Sequence, residues 1–206
     1  MRKRGRSYEI AVIAILAACN ATIELTLGNY LHIIKFPLSG SILVGFNIII
    51  YSLGYAFVPK RGTVISMGFL TVIINLFFGG SFKILAIIAI FLEAALVEII
   101  FNTMKFHFWS IMTASVITNL FGYVLTLVIY AFFIGIGLIN AIHRAFARFT
   151  SLFPWAEFSI ITIFLMLIVY HILVAVIFGM LAWKLIKFVE IFMENHKNGK
   201  VLEKNN

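Results

Sequence analysis

Six long apolar runs, separated by short polar, proline- or glycine-bearing breaks, fill most of the chain, at roughly 10–27, 41–58, 64–78, 84–104, 108–139 and 158–187. A helix needs about 20 apolar residues, rising 1.5 Å each, to cross a hydrocarbon core about 30 Å thick. The third run is short for that task, and the last two are long enough to tilt or to project beyond the membrane. Pro37, Pro59 and Pro154 all fall between runs, where a missing backbone donor does least harm. Gly28, Gly40, Gly62, Gly79 and Gly80 mark other ends. No run shows the strict alternation of a strand. The pattern predicts an all-α polytopic membrane protein: one integral domain over 1–206, a bundle of six transmembrane helices, and a basic tail at 188–206.

Composition agrees. The chain is 63% hydrophobic and only 12% charged, with a mean hydropathy of +1.08. Soluble domains are roughly 45–50% apolar and about 25% charged, so water cannot be the solvent. Charge then orients the bundle. Arg2, Lys3, Arg4, Arg6, Lys60, Arg61, Lys105, Lys184, Lys187, Lys197, Lys200 and Lys204 fall on one side, and Lys35, Lys83, Arg144 and Arg148 on the other. Basic residues in short loops stay cytoplasmic, which places both termini in the cytoplasm of a bacterial or archaeal cell. The net charge of +8 follows from this bias and from anionic headgroups. It implies no nucleic-acid partner, because the basic residues are scattered over loops. One cysteine, Cys19, excludes an intrachain disulfide.

The first helix carries two patterns. Leu16-Ala17-Ala18-Cys19 behind a basic arm mimics a lipoprotein processing signal. Glu9 interrupts the start of that apolar run, however, and the hydrophobic pattern continues to Leu27. Ala11, Ala14, Ala18 and Thr22, and likewise Ala17 and Ala21, recur at three- and four-residue spacing. Small faces of this kind let helices approach closely in lipid, either within the bundle or against another membrane subunit.

Ionisable groups inside a membrane are costly and therefore functional candidates. Glu93 falls near the midplane of the fourth run. Glu98 diverges from it by about 140° around the helix, which suits a structural tie to a neighbouring helix. Glu24, near the outer end of the first run, has the easiest access to external water. No lysine or arginine sits mid-span to neutralise these acids, so each must be protonated, hydrogen-bonded or completed by a ligand's donors. In the fifth run Ser115, Asn119, Tyr123, Thr126 and Tyr130 share one helix face. Asn47, Tyr51 and Tyr55 do the same in the second, Asn75 lies near the end of the third, and Tyr170 with His171 lies within the sixth. These groups suit interhelical hydrogen bonding or a small cavity for a polar heterocycle.

The outer connections hold Asn29, Tyr30, His32 and Lys35, and, over 140–157, an apolar and basic segment that reads as an interfacial helix or lid. Arg144 and Arg148 in that segment suit headgroups or an anionic substrate group. There is no phosphate-binding G-x-x-x-x-G-K-[ST] loop, no H-E-x-x-H and no G-x-S-x-G, and the five histidines are far apart. No enzyme activity, cofactor or metal centre is expected.

The run Val58-Pro59-Lys60-Arg61-Gly62-Thr63, then Asn75-Leu76-Phe77-Phe78-Gly79-Gly80, then Leu92-Glu93-Ala94-Ala95-Leu96-Val97-Glu98 resembles the central part of the substrate-binding S components of energy-coupling factor transporters, nearest to those for thiamine precursors of the hydroxymethylpyrimidine type. The likeness covers about residues 10–105, and the rest matches in layout. Asn75 stands where that pattern leads one to expect glutamate, and the N-terminal histidine pattern of nickel and cobalt S components is absent. The resemblance implies capture of a vitamin or vitamin precursor from outside, with Asn75, Glu93, Asn119, Tyr123 and Tyr170 binding substrate. It also implies partners, a transmembrane coupling protein and two cytoplasmic ATPases, engaged through Ala14 and Ala18. Two other classes share the layout: a six-span scaffold like the MreD subunit of the cell-shape machinery, and a proton-coupled carrier.

Overall fold

The computed structural model describes residues 5–34, 38–79, 84–132, 140 and 159–203. Within them the chain forms six helices: α1 (Arg6–Ile33), α2 (Ser39–Phe57), α3 (Thr63–Phe78), α4 (Ile84–Met104), α5 (Phe108–Phe132) and α6 (Ile160–Glu203). Five are long and apolar enough to cross a bilayer, and α3 is a shorter apolar helix of 16 residues, covering about 24 Å. No strand occurs among the described residues. The protein is a multi-pass, all-helical membrane protein.

Several boundaries move from the sequence expectation. The first helix extends at both ends, so that Gly28, Asn29, Tyr30 and His32 are helical rather than part of an outer loop. The sixth helix continues through the region expected as a tail and ends at Glu203. Only Gly199 weakens it after Lys187, and Lys187 pairs with Glu190 one turn on at 2.7 Å. The fifth is described to Phe132. The remainder of that run (133–139), Lys35, Lys83, and the expected lid with Arg144 and Arg148 lie outside the described residues.

Helix α2 packs against each of the other five helices. Its buried positions Val44, Asn47, Ile48, Tyr51 and Tyr55 therefore form the axis of the molecule. Around them sit Ala17 of α1, Val64 and Met67 of α3, Ala94, Val97 and Phe101 of α4, Ile111 and Ala114 of α5, and Ala182 and Ile186 of α6. Small residues set the spacing. A Cβ on Gly68 would come within 2.3 Å of the Ala94 Cβ, and one on Gly45 within 2.4 Å of the Phe178 ring. Such close approaches gain dispersion contacts where lipid supplies no hydrophobic drive between helices.

The N-terminal end of the bundle is tied by polar contacts. Gly62, the residue before α3, has φ 89° and no side chain to cap the helix. Glu98 of α4 caps it instead. Its Oε1 accepts from the Gly62 N–H and its Oε2 from the Val64 N–H, both at 2.8 Å. Asn102 donates to Glu98 Oε1 at 2.7 Å and accepts from the Tyr55 hydroxyl at 3.2 Å. The Tyr55, Phe101 and Phe106 rings close the same end with centroids 5.1–5.3 Å apart. This bears out the structural reading of Glu98. Phe108, Trp109 and Trp183, with Lys187 4.8 Å over the Trp183 ring, form an aromatic and cationic belt at this end. By the charge rule it is the end expected to face the cytoplasm.

Candidate functional site

Away from that end, polar side chains of α1, α2, α4 and α5 turn inward. Asn20 and Glu24 lie one turn apart on α1, a spacing that puts both on one helix face. The Asn20 amide donates to the Tyr51 hydroxyl of α2 at 3.5 Å. Asn47, one turn from Tyr51, donates through Nδ2 to Glu24 Oε1 at 2.9 Å and to Glu93 Oε2 of α4 at 3.3 Å. Glu24 therefore turns to Asn47 rather than only toward external water. Asn20, Asn47, Tyr51 and Glu93 are all buried. From α5, Gly122 sits so close that a Cβ there would lie 3.5 Å from Glu93 Oε1. The ion pairs between described residues, Lys60 with Glu9 and Lys187 with Glu190, lie elsewhere, so among the described residues Glu93 meets an amide and not a cation.

A second group lies beside the first, across α5. Asn119 is buried and joins α5 to α2: it accepts from Ser41 Oγ at 2.6 Å and donates to the Ser41 carbonyl at 3.1 Å. One turn on, Tyr123 faces His171 of α6 with ring centroids 4.7 Å apart. The His171 Nδ1 lies 2.7 Å from the Leu167 carbonyl. A carbonyl can only accept, so Nδ1 donates to it. Tyr170 is half-buried and stands edge-on to His171 at 5.5 Å. The Tyr123 hydroxyl and the Thr118 hydroxyl are buried with no hydrogen-bond partner among the described residues. Below them Ser115 donates to the Ala175 carbonyl at 2.7 Å.

The five residues expected to bind substrate thus fall in three places. Glu93 lies in the acidic cluster. Asn119, Tyr123 and Tyr170 lie on the α5–α6 side, linked to Glu93 through Gly122, the neighbour of Tyr123. Asn75 stands near the outer end of α3, its Oδ1 buried and without a partner among the described residues. Of the expected α5 stripe, Ser115, Asn119 and Tyr123 are buried, whereas Thr126 is exposed and bonds to the Gly122 carbonyl of its own helix at 2.8 Å. The side chain of Tyr130 lies outside the described residues.

The α1 alanines divide cleanly. Ala17 and Ala21 are buried, and the Ala17 carbonyl accepts from Thr71 of α3 at 3.2 Å. Ala11, Ala14, Ala18 and Thr22 are exposed on the outer surface of the bundle, as is Cys19. Among the described residues no group of three or more His, Cys, Asp or Glu is placed to hold a metal ion.

Residues 8–124, from the first turn of α1 into α5, match the family described as the permease component of ABC-type cobalt transport systems. The chain belongs to this family. The match covers more than half of the chain and takes in the whole acidic cluster, with Asn20, Glu24, Asn47, Tyr51, Glu93 and Gly122. No curated protein and no solved structure matches the chain. As a permease component the protein is part of a membrane transporter that works with partner subunits, and its family is not one of enzymes. Asn20 and Gly122 were not read from the sequence as candidates, whereas Asn47 and Tyr51 were read only as interhelical or cavity groups. The four-residue spacings Asn20–Glu24 and Asn47–Tyr51 were the available signal.

Proposed function

We propose that this permease component is the substrate-binding S subunit of an energy-coupling factor importer, and that its substrate is a small vitamin-like molecule. Capture is from the outer side, between the outer halves of α2, α3, α4, α5 and α6. Glu93, Asn119, Tyr123, Tyr170 and Asn75 are the binding residues: rings for stacking, amides and a carboxylate for the edge of a polar heterocycle. The observation that carries the reading is the convergence of buried polar side chains from four helices in a chain of transporter family. Unpartnered polar atoms at Tyr123 and Asn75 support it, since a buried hydroxyl or amide oxygen is costly unless a ligand or water completes it.

Energy comes from partners in this proposal. The exposed Ala11–Ala14–Ala18–Thr22 face of α1 allows a helix of a transmembrane coupling protein to approach closely, and two cytoplasmic ATPases drive the cycle. The test is mass spectrometry of small molecules that copurify with the detergent-solubilised chain, followed by titration. Recovery of a stoichiometric vitamin-like compound supports the proposal; a chain that retains and rebinds none refutes it.

A further inference from the structure

Between Ile160 and Ala182 helix α6 carries three polar side chains, Thr162, Tyr170 and His171. Thr162 and Tyr170 are part-buried, whereas His171 turns fully inward and is 4% exposed. An imidazole buried in an apolar span is costly unless its nitrogens are met. Nδ1 lies 2.7 Å from the Leu167 carbonyl one turn back and donates to it. That bond fixes the ring, uses one nitrogen, and turns Nε2 away from the Leu167 carbonyl. Among the described residues the Leu167 carbonyl is the hydrogen-bond partner of His171.

Tyr123 of α5 stands against this ring, with centroids 4.7 Å apart and planes inclined by 36°. Tyr123 is 5% exposed, and its hydroxyl is buried without a partner among the described residues. Two facing helices thus present an unmet hydroxyl and a second imidazole nitrogen at one place. The Phe164 ring lies 6.1 Å from Tyr123, and Leu127, Ile163 and Leu167 are buried in the same cluster. Such surroundings suit a flat aromatic occupant. Neither α5 over 108–132 nor α6 over 160–183 contains Asp, Glu, Lys or Arg. A charged group brought here would be buried with no counter-ion from either helix, a costly state. An uncharged ring with polar atoms on its edge meets the hydroxyl and Nε2 without that cost.

We propose that His171 contacts substrate, and that its Nε2 and the Tyr123 hydroxyl together read the edge of an uncharged, nitrogen-containing aromatic ring. The inference rests on the substrate-binding reading above and adds to it a residue and a charge class. Any charged part of the substrate lies off the α5–α6 wall.

The test uses the purified full-length chain in detergent at neutral pH, with isothermal titration calorimetry and nitrogen NMR of histidine-labelled protein. Hydroxymethylpyrimidine and nicotinamide are the neutral probes with ring nitrogen. Nicotinate is the charged comparison, and benzamide and benzyl alcohol are the comparisons without ring nitrogen. At least one neutral heterocycle should bind saturably, and the comparison compounds should bind about tenfold more weakly or not at all. His171→Phe keeps a ring against Tyr123 and should weaken that binding by about tenfold or more. His107→Gln, in the turn between α4 and α5, should leave it unchanged. In the parent the bound probe should shift the His171 Nε2 resonance, identified by its loss in His171→Phe; if that variant fails to fold, His171→Gln supplies both the identification and the affinity. Saturable binding of neither heterocycle, nicotinate binding as tightly, or affinity that survives the substitution with Nε2 unmoved overturns the assignment. A chain that retains a copurified compound yet fails these tests keeps the substrate reading and loses this pair; a chain that retains none and takes no probe loses both.

Discussion

Glu98 Oε2 accepts the backbone N–H of Val64 at 2.8 Å, so a carboxylate on α4 starts the helix that Gly62 cannot cap for itself. The same carboxylate also holds the Gly62 N–H and the Asn102 amide. Glu98→Ala strands these donors in a buried setting and should cost about 2–3 kcal/mol. Glu98→Gln keeps an acceptor and should cost less. Thermal unfolding of the detergent-solubilised variants checks the order. Equal stability of the alanine variant and the parent would remove the capping role.

Close packing of α3 on α4 gives a second expectation. Gly68→Val places a branched side chain where even one carbon meets Ala94, and overpacking of this kind costs roughly 1–3 kcal/mol. Gly40→Ala, also in a helix but with nothing within 4 Å of the new carbon, should change stability by less than about 0.5 kcal/mol. The same unfolding assay compares them.

The coupling face predicts a split between binding and uptake. Ala14 and Ala18 point outward, so Ala14→Trp should leave substrate affinity intact while abolishing uptake in cells that contain the partner subunits. Ala17→Trp, at a buried position, should instead reduce the amount of folded protein. Retained uptake by Ala14→Trp contradicts the assigned face.

Tyr123 separates a ligand role from a purely structural one. Its hydroxyl is buried without a partner among the described residues, so Tyr123→Phe relieves an unmet hydrogen bond and should leave stability equal or raise it by about 1 kcal/mol. If that hydroxyl meets substrate, the variant binds substrate more weakly despite being as stable. Unaltered affinity assigns the ring to packing against His171 alone.

The membrane class and the helix count follow from apolar run length, because lipid demands that each span satisfy its own backbone. The inward turn of Asn47, Tyr51 and Tyr55 was legible too, since a four-residue spacing on α2 fixes a common face. What eluded the pattern was which faces meet. Ser41 and Asn119 are 78 residues apart, and nothing local to either announces the pair. Glu24 was read as the acid nearest external water; it is part-buried, and what the local pattern did not announce is that the Asn47 amide of α2 meets it. The extension of α6 was missed because charge after Lys187 signals departure from lipid and not departure from helix. Its one-turn pairing of Lys187 with Glu190 supports a helix in water as well.

The substrate-binding account stands or falls on equilibrium titration of the copurified molecule against the parent, Glu93→Gln and Asn119→Ala, all verified as folded. The account predicts saturable binding to the parent and affinity weakened about tenfold or more in both variants, a loss of about 1.4 kcal/mol or greater. Unchanged affinity in both contradicts it.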